Sequence, residues 1–287
     1  MEMSSAQSSF VEIFKYDDKA LAKIAREVGD YFSRDRQRLL HILDVGTGTG
    51  RFILPIVEFL EREALIKCKL DCFDVSPEIV NALQEHLFKA KLNPANVRSR
   101  RKNAEDGLLD TYEMQTFDLI TMTFVLEEID DLENFLDDVA DCMKKNGLII
   151  QAEAIGDFRP LDNKCDAGSL PIFERFWEKY FTERAKYQPW SPDISISDYS
   201  LVYEYLRKKN GFKFYKEESF LWEETIKWGE LCAWIEHAPL SSLRRGLSPL
   251  TREYLARVMA NWLEANRIRE KSNLTLKWGV KITWMNR

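Results

Sequence analysis

His41-Ile42-Leu43-Asp44-Val45-Gly46-Thr47-Gly48-Thr49-Gly50-Arg51 runs from a mostly apolar stretch into three closely spaced glycines. Leu39 to Val45 has the near-continuous apolar character of a strand covered on both faces, as in a parallel sheet. The glycines predict a sharp turn whose backbone can come close to a ligand, because no Cβ stands in the way. Phe52 to Arg62 reads as a helix beginning just after that turn, so its first N–H groups are available to a bound anion or polar group. A dinucleotide turn of the form G-x-G-x-x-G would need glycine at position 51. That residue is Arg51, which argues against a nicotinamide dinucleotide.

Working outward, strand and helix patterns alternate. Lys69 to Val75 predicts a second strand, and Pro77 to Ala90 a helix with proline in its first turn. Asn96 to Arg101 predicts a third strand and Phe117 to Thr123 a fourth. Leu132 to Lys144 follows as a helix stopped by Asn146-Gly147, and Leu148 to Ala152 as a fifth strand. Such alternation specifies an α/β fold, a mostly parallel sheet with helices on both faces. Before it, Phe10 to Phe32 has helical spacing broken at Tyr16-Asp17-Asp18. After it, the regularity fails from Glu153 to about Ser200, a stretch dense in Phe, Trp, Tyr and Pro. Ser200 to Lys209 reads as a helix, Phe212 to Phe220 as a strand, Trp228 to Ile235 and Thr251 to Ile268 as helices, and Thr275 to Trp284 as a closing strand. The expected organisation is an N-terminal helical lid over 1–38, a ligand-binding core over 39–152, an aromatic-rich helical cap over 153–211, and a part over 212–287 that completes the sheet.

Four motifs in order carry a resemblance. Asp44 with Gly46, Gly48 and Gly50 forms the first; Leu70-Asp71-Cys72-Phe73-Asp74-Val75 ends the second strand on a carboxylate; Lys102-Asn103-Ala104-Glu105-Asp106 follows the third strand; and Phe117 to Ile129 forms the fourth strand and its loop. Over residues 39 to 152 the chain resembles class I S-adenosylmethionine-dependent methyltransferases. The stretch Trp222 to Leu231, then Trp234-Ile235, is loosely similar to the segment after strand six in small-molecule methyltransferases of the trans-aconitate type and related acid O-methyltransferases. The resemblance implies a Rossmann-like seven-stranded sheet with an antiparallel last strand, and S-adenosyl-L-methionine as cofactor. Asp44, Gly46, Thr47, Gly48 and Gly50 would lie under its methionine part, Asp74 and Val75 at the ribose, Asn103 and Ala104 at the adenine edge, and Thr123 at the transfer end. Two of these positions have local readings as well: Asp74 could cap the helix at Pro77, as Ser76 could, and Asn103 could close an Asx-turn.

Where many relatives carry a histidine after the fourth strand, this chain has Glu127 and Glu128. These are candidates for a general base, or simply carboxylates favourable to a helix N-terminus; His237 is a further candidate, near a helix end. Tyr16 could touch the cofactor or serve the acceptor. Phe173, Trp177, Trp190 and Trp228 could enclose an apolar acceptor and shield a sulfonium, or could form the cap's own core. The expected activity is methyl transfer to a small organic acceptor, oxygen being favoured. A non-catalytic cofactor-binding scaffold and a transferase acting on protein or RNA are the alternatives.

Composition narrows the partners. The net charge of −6 provides no general field for a phosphate backbone, so nucleic acid is not expected, and the cluster Arg98, Arg100, Arg101 and Lys102 reads as a solvated connection. Five cysteines without metal-ligand spacing, and only three histidines, predict free thiols and no metal. No leader pattern and no run of about 18 apolar residues is present, so a cytoplasmic protein without a membrane span is expected.

Overall fold

The computed structural model describes residues 16–33, 39–90, 92–126, 129–160, 169–187, 200–237 and 247–287. They divide between two compact units, one of Tyr16–Ala154, Ile196–Phe220 and Val280–Arg287, the other drawn from Ile155–Ser195 and Leu221–Gly279.

The first unit opens with helix α1 (Asp18–Phe32), whose N-cap Asp17 accepts from the Ala20 N–H at 2.9 Å. The break read at Tyr16-Asp17-Asp18 is therefore a helix start. Strand β1 (Leu40–Val45), helix α2 (Ile53–Arg62), β2 (Cys68–Asp74), α3 (Pro77–Ala90), β3 (Val97–Arg101), β4 (Phe117–Thr123), α4 (Leu132–Cys142) and β5 (Met143–Pro160) follow in order. After α5 (Ser169–Arg184) come α6 (Ser200–Asn210), β6 (Lys213–Lys227), α7 (Trp228–His237), α8 (Pro249–Ala265) and β7 (Asn273–Asn286). The seven strands form one sheet in the order β3-β2-β1-β4-β5-β7-β6. β1 pairs in parallel with β2 and β4, as do β2 with β3 and β4 with β5. This is the expected Rossmann-like, mostly parallel α/β architecture.

Parallel pairing sets the faces, because paired residues lie side by side on one face. Leu43, Val45, Phe73, Ile120, Met122 and Ile149 share a face and pack with Phe135, Leu136 and Val139 of α4 and with Val202 and Leu206 of α6. Elsewhere in this unit α1 packs on α2, burying Ile24, Val28, Ile53 and Ile56. Each such aliphatic side chain contributes roughly 1.5–3 kcal/mol by leaving water. β3, at the edge, carries Arg98 and Arg100, charges that discourage pairing with another chain.

Several boundaries differ from the sequence pattern, among them the end of β5, which runs to Pro160 into the stretch expected to be irregular from Glu153. α4 ends at Cys142, and Met143 already pairs with Phe117, with a register shift before Leu119 meets Leu148. Asn146 does take a left-handed turn, φ 63°, but inside the start of β5. β6 also runs seven residues beyond Phe220, to Lys227.

In the second unit Phe173, Phe176, Tyr180, Trp228, Leu231, Leu255, Met259 and Leu263 make a shared apolar core. Its rings meet edge-on or tilted, as Phe176 does with Trp228 at 5.6 Å. Arg184 is buried here and hydrogen-bonds the Tyr180 hydroxyl. Among the described residues four cysteines, Cys68, Cys72, Cys142 and Cys232, are buried free thiols.

Candidate active site

The carboxyl ends of β1, β2 and β4 bring the predicted ligand residues together. At the end of β1 the Thr47 N–H donates to the Phe73 carbonyl at 3.0 Å, and the Gly50 N–H donates to the Thr47 carbonyl at 3.0 Å. The chain is thereby curled against β2 and led into α2. Gly46 has φ 62°, and a Cβ there would stand 2.5 Å from Val125 Cγ2, so only glycine fits between β1 and the loop after β4. Gly48 differs: its φ is 55°, yet a Cβ would meet nothing within 4 Å. The middle glycine thus turns a bare backbone toward open space, a cradle that a side chain would fill. Gly50, at φ 80°, packs tightly on Leu54 and Leu83.

Asp74, at the end of β2, is 2% exposed and faces this cradle. Its Oδ2 accepts from the Gly48 N–H at 3.0 Å and its Oδ1 from the Ser76 N–H at 3.0 Å. The cap of α3 comes from Ser76 instead, whose Oγ accepts from the Ile79 N–H at 3.3 Å. Asp74 is thus tied to the glycine turn and does not cap the helix. Burial pushes its carboxyl above the usual range, against the three backbone N–H groups that favour the charge.

Asp44 sits behind the turn, with Thr121 beside it in register. Its Oδ2 accepts from Thr47 Oγ1 and its Oδ1 from Thr121 Oγ1, each at 2.5 Å. Burial raises its pKa to about 7; the two hydroxyls pull it down and the charge of Asp74 adds a smaller push upward. A pH dependence follows. The folded chain keeps the Asp44 proton up to about pH 7, while the unfolded chain releases it near 3.8, the ordinary value for an aspartate in water. Stability relative to Asp44→Asn is therefore expected to fall as pH rises across that window and to level off above it. Denaturant titrations of both proteins at several pH values check this. A constant difference would mean that the hydroxyls outweigh burial.

At the far end of the cradle Tyr16 stacks on Phe124, ring centres 6.0 Å apart at 21°, and tilts against Phe52 at 5.4 Å. Its hydroxyl hydrogen-bonds the Thr123 side chain, and burial raises its pKa, only partly opposed by the nearby Arg51 cation. Tyr16 is a protonated phenol at neutral pH, suited to hydrogen bonding and not to proton abstraction. Phe124 has φ 54°, a left-handed conformation rare for an aromatic residue and held here against the Tyr16 ring.

On the other flank Asn103 caps the short 3-10 turn Ala104–Asp106, its Oδ1 accepting from the Glu105 N–H at 3.3 Å. Ala104 is buried and Val75 is 38% exposed. Sequence reasoning passed over His86, whose Nδ1 donates to the Thr49 carbonyl at 2.9 Å and so braces the glycine turn from α3. It also passed over Thr121 and Glu105. Each acts across a distance of 25 residues or more, and no local pattern marks it.

Phe173 and Trp228 lie in the interior of the second unit's core, and Trp177 packs partly buried against it. Glu127, Glu128 and Trp190 lie outside the described residues, and so does the side chain of His237, which ends α7. Among the described residues no group of acidic, histidine or cysteine side chains could hold a metal ion, and no helix is long and apolar enough to cross a membrane.

Residues 43–149, the span holding this constellation, match the family model described as a methyltransferase domain. No curated protein matches the sequence. Among solved structures, one is a provisionally named sarcosine dimethylglycine methyltransferase from Galdieria sulphuraria, 16% identical, with a TM-score of 0.50 over 93% of this chain and 85% of that one. Another is a provisionally named type II methyltransferase from Anaeromyxobacter dehalogenans, 15% identical, with a TM-score of 0.50 over 94% of this chain and 96% of that one. At such identities the likeness speaks to the fold. The family match at 43–149, with a β1 turn, a β2 carboxylate and a sheet order that suit it, makes these residues a class I S-adenosyl-L-methionine-dependent methyltransferase domain.

Proposed function

We propose that the methyl acceptor is a small organic molecule and that the accepting atom is an oxygen. S-adenosyl-L-methionine supplies a methyl group on a positively charged sulfur, so the protein's task is to hold the acceptor in line and keep water away. In this reading Asp74 accepts hydrogen bonds from the ribose hydroxyls, and Val75 offers apolar surface beside it. Asn103 and the Ala104 N–H meet the adenine edge. Gly46, Thr47, Gly48 and Gly50 pass under the methionine part, with Asp44 behind them. Thr123 and Tyr16 border the transfer end.

The observation that carries the small-molecule reading is the engagement of the chain's basic cluster by its own partners. Arg100 Nη2 lies 2.9 Å and Arg98 Nε 3.8 Å from Asp71 Oδ1, and Arg101 Nε donates to the Val75 carbonyl at 3.2 Å. Asp71 offsets one of these charges, and on a chain of net charge −6 no general field draws a polyanion. An oxygen acceptor is favoured because a carboxylate is already ionised at neutral pH and needs no base, and Tyr16 cannot act as one. The test incubates the protein with methyl-labelled cofactor and separate pools of carboxylic acids, phenols, amines, protein and RNA. Label in the acids or phenols is expected; label confined to amines, protein or RNA refutes the proposal.

A further inference from the structure

Glu105 stands in the motif after β3 with no role assigned to it there, yet it joins the two loops that flank the site. Its Oε1 accepts from the backbone N–H of Asp130 at 2.5 Å and of Asp131 at 3.3 Å. Its own N–H donates to Asn103 Oδ1. Asp131 in turn caps α4, its Oδ1 accepting from the Asn134 N–H at 3.3 Å. A second link runs beside the first, the Leu108 N–H donating to Asp138 Oδ2 at 2.6 Å. The turn after β3 is therefore fastened to the segment after β4, the one that begins with the left-handed Phe124 and packs on Tyr16.

Glu105 is exposed to solvent, and a carboxylate in water has no need of these amides. Its two acceptor contacts hold it in one geometry, and an arm so held passes order from one loop to the other. We infer that Glu105 is a positioning residue: occupation of the turn at Asn103 and Ala104 by adenine orders residues 129–131 through the Glu105 carboxylate. This rests on the reading that Asn103 and Ala104 meet the adenine.

Amide hydrogen exchange on the full chain tests it, with adenosine as a probe that lacks the methionine part and with S-adenosylhomocysteine as a check on cofactor binding. In the wild type adenosine is expected to slow exchange at 103–106 and also at 129–131, the latter by about three- to tenfold, the scale of one ordinary hydrogen bond. In Glu105→Ala adenosine still protects 103–106 but no longer changes 129–131. Glu105→Gln, which keeps an acceptor oxygen, retains the coupling. Glu105→Asp, which keeps the charge on a shorter arm, loses it and serves if the alanine variant does not fold. A purely structural role would speed exchange at 129–131 with and without adenosine alike and leave the ligand-induced change intact. Coupling that survives in Glu105→Ala, or is absent in a wild type whose 103–106 segment is protected, overturns the proposal. If S-adenosylhomocysteine binds without protecting 103–106, the adenine reading itself fails.

Discussion

Asp74→Ala is expected to weaken S-adenosylhomocysteine binding by about ten- to a hundredfold, the scale of hydrogen bonds to a charged group. Two effects act together. The carboxylate that would accept from the ribose is removed, and so is the acceptor that holds the Gly48 N–H at 3.0 Å and keeps the middle of the glycine turn in place. Asp74→Asn separates them. An asparagine retains one acceptor oxygen, but its amide nitrogen must face either a backbone N–H or a ribose hydroxyl, so an intermediate loss is expected. α3 should be unaffected in both variants, because Ser76 supplies its cap. Calorimetric titration of variants shown to be folded by circular dichroism measures the effect. An affinity within about twofold of wild type, well under one such hydrogen bond, would remove Asp74 from the cofactor site.

The place of Asp74 beside the glycine turn was legible because a strand pattern ends on a carboxylate just before Ser76-Pro77, at the carboxyl end of the strand next to β1. The glycine turn was legible for a similar reason: left-handed backbone at Gly46, Gly48 and Gly50 leaves its mark directly in the residue type. Contacts distant in sequence leave no such mark. Asn146-Gly147 has the composition of a helix stop, but α4 has already ended at Cys142. That turn instead serves the last residue of the chain, Asn146 donating to the Arg287 carbonyl at 3.2 Å and Arg287 donating to the Gly147 carbonyl at 3.3 Å. The hydroxyls on Asp44 and the arm of Glu105 are hidden in the same way, since each depends on strand register or loop packing that only the folded chain supplies. The aromatic stretch shows a different limit. Helical spacing of Phe173, Phe176 and Tyr180 is the same whether rings line a pocket or fill a core, and these fill a core.

Gly46→Ala and Gly48→Ala should fail in opposite ways, although the two glycines are two residues apart and share a left-handed backbone, φ 62° and 55°. Both substitutions incur the penalty of an L side chain in that region, about 1–2 kcal/mol. At Gly46 the new methyl also meets Val125, 2.5 Å from Cγ2 and 2.8 Å from Cβ, distances that force the loop after β4 to move. Overpacking of this kind adds roughly 1–3 kcal/mol. At about 2–4 °C per kcal/mol for a chain of this size, Gly46→Ala should lower the unfolding temperature by on the order of 10 °C. Gly48→Ala should lower it by only a few degrees, since its methyl enters open space. That space is where the cofactor's methionine part is proposed to lie, so Gly48→Ala should lose affinity for S-adenosylhomocysteine by at least about tenfold while remaining folded, as expected when a methyl occupies a close backbone approach. Thermal unfolding and calorimetric titration of the pair decide the matter. A Gly48→Ala protein that binds as tightly as wild type would mean that the cradle at the end of β1 holds something other than the cofactor.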